Sequence, residues 1–213
     1  MVNNAGVIAE RMMFNMTEEE FAGPMRVDYF GTFACARHAA RDMRSRKWGR
    51  IINTGDGSGL YGLLGGTNVG AAKGGIHAMT MIWAIELQRY NITANCVIPY
   101  GYTRMHDSLI RKALEEAAVG GGDANLPTFD EVVAGTDRPE ESTSLVAYLC
   151  SDEAEWVTGQ IFGVRKDRIT LWSRPREKVE WTAPGGLTLD AIRADARETL
   201  GAALEPLDHQ GAD

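Results

Sequence analysis

The sequence has few cysteines, no long apolar run and no cluster of basic residues. Its 213 residues include 3 cysteines, far apart and outside any CxxC pair, which excludes a fully paired disulfide set and predicts no metal site. No stretch approaches the roughly 18–20 continuous apolar residues of a membrane helix. The first residues lack the basic and apolar regions of a secretory signal. These absences predict a cytoplasmic protein.

The charge balance is acidic, with 22 Lys and Arg residues against 29 Asp and Glu residues and a formal net charge of −7. Binding to a nucleic acid backbone needs concentrated positive charge, so we expect no nucleic acid partner. The composition is 44% hydrophobic and 24% charged, which is typical of a globular chain and not of a disordered one. The length suits one ordinary domain.

Strand-like and helix-like stretches alternate along the chain, which predicts an α/β fold with a parallel sheet. Pro24 falls in the early turns of the first long helix, so we expect a break or kink there. A C-terminal extension follows from residue 171, with a helix predicted over 188–204. The predicted strands cover 50–54, 92–98 and 160–164, and the predicted main helices cover 17–43, 68–90, 107–118 and 139–149.

Ordered motifs over residues 1–170 resemble the short-chain dehydrogenase/reductase family. The narrower resemblance, carried by Gly59-Leu60-Tyr61-Gly62 and by the tail, is to bacterial relatives of the 3-hydroxyacyl-CoA dehydrogenase part of multifunctional β-oxidation enzymes. Many motifs in the same order are more specific than one short signature. The motifs are Asn3-Asn4-Ala5-Gly6, Ile51-Ile52-Asn53-Thr54, Asn68 to Lys73, Asn95 with Pro99, Thr103-Arg104-Met105 and Thr158-Gly159-Gln160.

The resemblance implies a Rossmann-type three-layer sandwich with a parallel sheet over residues 1–170, followed by the extension 171–213. In the family, the Asn3–Gly6 motif follows the fourth strand, after a glycine-rich turn that receives the cofactor pyrophosphate. The sequence begins at this motif, so we expect the sheet to lack its first strands and that turn. A misplaced start of the chain is the alternative explanation.

The resemblance also implies a catalytic set of Asn, Ser, Tyr and Lys for hydride transfer at a secondary alcohol or ketone. Only the lysine is retained here, as Lys73, since Val69 stands at the tyrosine position. Asp56 replaces the serine and Asp28 replaces the asparagine. A valine can neither donate nor accept a proton, so the acid/base group is missing. Tyr100 or a neighbouring phenol is the candidate replacement.

The family cofactor is a nicotinamide dinucleotide, NAD or NADP, and its binding by this chain is doubtful without the glycine-rich turn. The two long helices match those that form the dimer interface in the family, so we expect a homo-oligomer or a hetero-oligomer with an active paralogue. No membrane partner is expected. The residues at matching cofactor-binding positions are Asn3, Ala5, Gly6, Lys73, Pro99 and Thr103.

Three functional hypotheses follow. The first is a catalytically degenerate pseudoenzyme that acts as a non-catalytic assembly subunit beside an intact dehydrogenase. The second is an NAD(P)-dependent oxidoreductase of a secondary alcohol or 3-hydroxyacyl-CoA whose cofactor half comes from upstream sequence or a partner. The third is a cofactor-independent hydratase or lyase in which Asp28, Asp56 and Lys73 converge, because neighbouring carboxylates can shift a pKa toward neutrality.

Overall fold

The computed structural model describes residues 1–119, 126–183 and 185–205. Pro184 and residues 206–213, which belong to the predicted extension 171–213, lie outside the described residues. The chain divides into two compact units, Met1–Trp172 and Ser173–Asp213. The first unit contains the sheet and seven α-helices among its described residues, and the second contains one short helix among its own.

A five-stranded sheet forms the centre of the first unit, with its strands in the order of the sequence. The first four strands run parallel, and the fifth returns antiparallel to the fourth. The carboxyl ends of the parallel strands therefore meet at one edge of the sheet, where sites in such folds form. The strands are β1 (Val2–Asn3), β2 (Gly49–Thr54), β3 (Ile92–Pro99), β4 (Ile161–Arg165) and β5 (Arg168–Leu171).

The helices of the first unit connect the parallel strands. A capping box begins the first of them, because the Thr17 hydroxyl accepts from the Glu20 amide while the Glu20 carboxylate accepts from the Thr17 amide. The helices are α1 (Glu18–Pro24), α2 (Gly31–Arg46), α3 (Ser58–Tyr61), α4 (Thr67–Leu87), α5 (Asp107–Val119), α6 (Phe129–Ala134) and α7 (Thr143–Cys150).

The break predicted at Pro24 is a change of helical register. Pro24 ends α1, and residues Met25–Phe30 continue as wider π-helical turns before α2 begins at Gly31. Proline has no amide hydrogen to donate, so the regular hydrogen-bond pattern cannot pass through it unchanged. These π-helical turns carry Asp28, which is buried.

Two apolar layers cover the sheet, as the resemblance implied. On one face, Met43 of α2 and Ala84 of α4 pack on Ile51. On the other face, Leu145 and Leu149 of α7 pack against strands β2, β3 and β4. The first unit therefore has the helix–sheet–helix layering of a Rossmann-type fold.

The C-terminal helix prediction was wrong in extent. In the second unit, the predicted helix over 188–204 is the shorter α8 (Leu189–Asp195), followed by turns and a 3₁₀ turn at Gly201–Ala203. Among the described residues of this segment, the large apolar side chains of Leu189, Ile192 and Leu200 are all exposed, so they gain little burial that would stabilise a longer helix. Strand β5 and the short helices α3 and α6 were not predicted.

Candidate active site

The centre of the candidate site is a buried ion pair between Lys73 and Asp28. The Nζ atom of Lys73 lies 3.1 Å from Oδ2 of Asp28, and the two residues are 8% and 1% exposed. Lys73 projects from α4 and also donates to the carbonyl of Thr54, at the carboxyl end of β2, over 3.2 Å. The Oδ1 atom of Asp28 accepts from the amide of Val7 over 3.0 Å. The ammonium charge is therefore neutralised by the carboxylate in its immediate surroundings.

The loop after β1 presses directly on this pair. A β-carbon on Gly6 would lie 3.0 Å from Oδ2 of Asp28, so the small residue allows the backbone to approach the carboxylate. Asn68 fixes the next part of this loop by donating to the carbonyls of Ala9, over 2.7 Å, and of Glu20, over 2.8 Å. The sequence analysis assigned no separate role to Asn68. Its position directly before Val69 could have indicated that it lies at the site.

Val69 lies on α4 one turn before Lys73 and is 7% exposed. Its side chain carries no ionisable group, so the position that holds the family acid/base can move no proton. The structure therefore brings Asp28 and Lys73 together with an apolar neighbour.

Asp56 makes a local hydrogen bond in the turn that follows β2. Its Oδ1 atom accepts from the amide of Ser58 over 2.8 Å, as in an Asx turn. Partial burial, and then the negative charge of Asp56, raise the pKa of the Glu10 carboxyl above its usual range. The structure thus pairs Asp28 with Lys73, while Asp56 bonds within its own turn. A shared role of all three residues stays a prediction.

Two phenols near the site, Tyr61 and Tyr102, have raised pKa values. A β-carbon on Gly57 would overlap the hydroxyl of Tyr61, so this ring folds back over the turn. Burial, followed by a hydrogen bond with Tyr100, raises the pKa of Tyr61 above its usual 10. Tyr102 donates to Asp107 over 2.5 Å, and this bond raises the pKa of Tyr102. A raised pKa disfavours the phenolate that would act as a base.

Two histidines border the site without forming a catalytic pair. His77 is buried on α4 beside Gly55, and burial lowers the pKa of its imidazole. His106 ends the 3₁₀ turn before α5, where its Nδ1 atom accepts from the amide of Thr103 over 3.1 Å. This contact holds the His106 ring, whereas the two buried ring nitrogens of His77 have no hydrogen-bond partner within the described residues.

The predicted cofactor-binding residues differ in their exposure and in their hydrogen-bond partners. Asn3 is buried and donates to Asn53 over 2.8 Å, within the sheet. Ala5 is exposed and Gly6 half-buried at the carboxyl edge of β1, while Pro99 is the exposed last residue of β3. Lys73, with Asp28 and Thr54 already bonded, has one N–H left for a ribose hydroxyl.

The turn between Gly55 and Gly59 does not fit the pyrophosphate of a dinucleotide. The Tyr61 hydroxyl fills the space beside Gly57, and Gly59 packs so closely on α4 that a β-carbon would lie 2.5 Å from the amide nitrogen of Gly74. Asp56 adds a carboxylate at the same turn. This turn therefore offers no open cradle for a pyrophosphate.

Within residues 1–119, 126–183 and 185–205, no group of three or more His, Cys, Asp or Glu side chains is placed to hold a metal ion. None of the helices in these ranges is both long enough and apolar enough to span a bilayer.

The amino-acid sequence of the chain is similar to those of several known proteins. The family model described as enoyl-(acyl carrier protein) reductase matches residues 1–166. A hydroxyacyl-CoA dehydrogenase of Mycobacterium tuberculosis is 34% identical over 193 residues, covering 87% of this chain and 57% of that protein. A 3-oxoacyl-(acyl-carrier-protein) reductase of Thermotoga maritima is 33% identical over 165 residues, covering 77% and 63%. The chain thus spans less than two thirds of these relatives.

Solved structures agree with the sequence comparisons. A short chain dehydrogenase from Mycobacterium avium superposes with a TM-score of 0.77 at 33% identity, covering 99% of this chain and 67% of that one. The peroxisomal multifunctional enzyme type 2 of Drosophila melanogaster gives a TM-score of 0.73 at 26% identity, covering 93% and 33%. From its fold, its ordered motifs and these matches, the chain belongs to the short-chain dehydrogenase/reductase family.

Proposed function

We propose that this chain does not perform the hydride transfer of its family and acts as a non-catalytic assembly subunit beside an intact dehydrogenase. The observation that carries the proposal is the buried 3.1 Å ion pair between Lys73 and Asp28 next to Val69. In the family, by the resemblance, this lysine would lower the pKa of a tyrosine. Here it has a carboxylate as its partner and no phenol at position 69.

The missing acid/base group is the first support. General acid–base catalysis contributes about 10²–10⁴ in rate, and Val69 can supply none of it. Two of the other phenols near the site, Tyr61 and Tyr102, have raised pKa values, which disfavours their phenolates as bases. Loss of the proton carrier alone leaves at most a slow residual reaction.

The charge of the site is the second support. Reduction of a ketone or oxidation of an alcohol develops negative charge on the substrate oxygen, which donors and cations stabilise. Asp56 places a carboxylate where the family has a hydroxyl donor, and Asp28 neutralises Lys73. Both substitutions lower the positive potential that such a transition state needs.

Weak binding of NAD and NADP belongs to the same proposal. Tyr61 fills the turn at Gly57, and Lys73 offers one remaining donor. We expect neither dinucleotide to saturate the chain alone at micromolar concentration.

An apolar surface on α2, its preceding π-helical turns and α4 supports the assembly role. Phe30 and Phe33 are 59% and 43% exposed, and Ile82 and Ile85 of α4 are 50% and 75% exposed. Exposed apolar residues grouped on neighbouring helices are typical of interfaces between subunits. We propose that this surface pairs with a second copy or with an active paralogue.

An activity assay with a matched control tests the idle site. The purified chain is incubated with NADH or NADPH and a 3-oxoacyl thioester, and oxidation of the dinucleotide is followed by absorbance. We expect no turnover above the protein-free blank. Turnover by the unaltered chain would overturn the proposal if Lys73→Ala abolishes it and the control variant Lys112→Ala does not. Lys112 lies on the exposed surface of α5.

Size measurement tests the assembly surface separately. We expect native mass spectrometry to find a dimer, or a complex with a co-expressed dehydrogenase, that Ile85→Glu dissociates. Leu64→Glu changes an equally exposed residue outside these helices and should leave the assembly intact. A monomer at every concentration, with no complex, would contradict the assembly role.

The oxidoreductase hypothesis remains the second candidate, because the first relative described above is named a hydroxyacyl-CoA dehydrogenase. It requires additional polypeptide for the dinucleotide and another proton carrier, such as Tyr100. Under this hypothesis, supplying that polypeptide should give tight dinucleotide binding, and Val69→Tyr with Asp56→Ser should increase turnover. The hydratase or lyase hypothesis stays a prediction, since Asp56 bonds within its own turn.

A further inference from the structure

The assembly surface on α2 and α4 contains a row of arginines beside its apolar residues. Arg37, Arg41 and Arg44 are exposed, and their spacings of four and three residues place them on one face of α2. Phe33 precedes Arg37 by four residues, lies on the same face and is 43% exposed. A partner chain that covers this face therefore meets the arginine row.

The row carries a positive charge that the rest of the surface does not balance. Within residues 1–119, 126–183 and 185–205, none of its three guanidiniums forms an ion pair, whereas Arg46 of the same helix binds Asp42 at 2.8 Å. The row lines a groove between α2 and α4, and among the described residues of that groove Glu86 is the only acidic one. The chain as a whole has a formal charge of −7, so this cationic surface is opposite in sign to the molecule that carries it.

A second copy of the chain matches this charge poorly. Identical chains usually pair about a two-fold axis, which places the same patch on both sides of the contact. Each copy brings only Glu86 for its three groove-lining arginines, so most guanidiniums would face another cation or be covered without an acceptor. Covering an unpaired charge costs free energy, and like charges that face each other repel. We therefore expect this surface to bind a second copy weakly.

We propose that the partner on this surface is a different chain, which places Asp or Glu side chains opposite Arg37, Arg41 and Arg44. A guanidinium donates two parallel hydrogen bonds to a carboxylate, so such a partner satisfies the row while its apolar side chains cover Phe33. The inference rests on the proposed assembly role. Of the two partners named there, it selects the paralogue and excludes the second copy.

A charge-reversed copy of the full chain is the probe for this selection. It carries Arg37→Glu with Arg41→Glu, while Arg44 is left unchanged because it also lies over the ring of Tyr90, at 5.8 Å. The probe is isotope-labelled and mixed with the unaltered chain, so that native mass spectrometry separates the mixed dimer from the dimers of identical chains. We expect the dissociation constant of the mixed dimer to be at least about tenfold lower than that of the dimer of the unaltered chain.

A matched control separates local charge pairing from a change in total charge. Lys166→Glu with Arg168→Glu reverses the same number of charges on the β4–β5 hairpin, outside α2 and α4. This variant should bind the unaltered chain no more tightly than the unaltered chain binds itself. Raising the salt from about 0.1 M to about 1 M shortens the Debye length from about 10 Å to about 3 Å, and it should weaken the mixed dimer at least about threefold. Circular dichroism checks the fold of each variant.

The possible outcomes distinguish this inference from the assembly role. A dimer of the unaltered chain that is as tight as the mixed dimer would overturn the inference, and so would an equal gain of affinity in the control. If Ile85→Glu dissociates that dimer of the unaltered chain, the assembly role stands and only the choice of partner is wrong. Monomers in every mixture would also overturn the inference, and the absence of a complex with a co-expressed dehydrogenase would then contradict the assembly role as well.

Discussion

Replacing Lys73 by methionine tests the buried ion pair on which the candidate site depends. Methionine keeps much of the length of the side chain and removes the ammonium. Asp28 is 1% exposed and would keep one described hydrogen bond, from the amide of Val7. The substitution therefore leaves a carboxylate in the interior without a counter-charge.

The expected cost follows from this burial. Removing one partner of a buried ion pair destabilises a protein by about 3–5 kcal/mol, because the remaining charge is neither solvated nor paired. Typical domains have a free energy of unfolding of about 5–15 kcal/mol, so the loss is a large fraction of the total. Adding Asp28→Asn removes the stranded charge and keeps an oxygen for the Val7 amide. The double variant should recover about 2 kcal/mol or more of the loss.

Urea unfolding followed by tryptophan fluorescence gives these free energies. The control is Lys112→Met, since the ion pair of Lys112 with Glu116 spans 3.7 Å between side chains that are 72% and 70% exposed. Exposed pairs of this kind contribute about 0–1 kcal/mol. A loss for Lys73→Met no larger than that of the control, or no recovery in the double variant, would refute the reasoning.

Three further outcomes are expected. Burial lowers the pKa of His77 in the folded state from its usual 6.5, so the unfolded state binds more protons below about pH 6.5. Stability should therefore fall as the pH decreases through that range, and His77→Gln should lessen the fall in urea titrations. Gly57→Ala overlaps the Tyr61 hydroxyl and should lower the melting temperature, whereas adding Tyr61→Ala should recover part of the change. Thr17→Ala removes the α1 cap and should cost about 1 kcal/mol by urea unfolding, whereas Thr17→Ser keeps the capping hydroxyl and should leave the free energy of unfolding nearly unchanged.

The parallel sheet and its helices could be predicted because periodicity and family motifs agree along residues 1–170. The strand with Ile51 and Ile52 is a run of buried apolar residues, and the helix with Ile76 and Met79 shows one apolar stripe. Such patterns are local, so they can be recognised in a single sequence. Helices and strands can therefore be predicted where their buried residues follow a regular spacing.

The antiparallel strand β5 was missed because its four residues are all exposed. It has no alternation between a buried and an exposed face, and its pairing with β4 depends on a tight turn at Lys166, whose φ is +47°. A lysine in the left-handed region gives no clear turn signal in sequence. The position of β5 is therefore determined by its pairing with β4 and not by a local sequence pattern.

The identities at the candidate site could be predicted from the family resemblance, but their partners could not. The resemblance implied that Lys73, Asp28 and Asp56 surround one site, without showing which carboxylate the ammonium would meet. The π-helical turns after Pro24 bring Asp28 to the lysine, while the Asx turn holds Asp56 at Ser58. Both features depend on backbone geometry that residue types do not specify.

The central claim is that this chain lacks a working proton carrier for hydride transfer. The most direct measurement is single-turnover mixing of the full chain, in excess, with NADPH or NADH and a 3-oxoacyl thioester. The account predicts no formation of the 3-hydroxyacyl product by mass spectrometry over hours. Formation of this product by the unaltered chain, at a rate that Lys73→Ala lowers at least about a hundredfold and Lys112→Ala does not change, would contradict it.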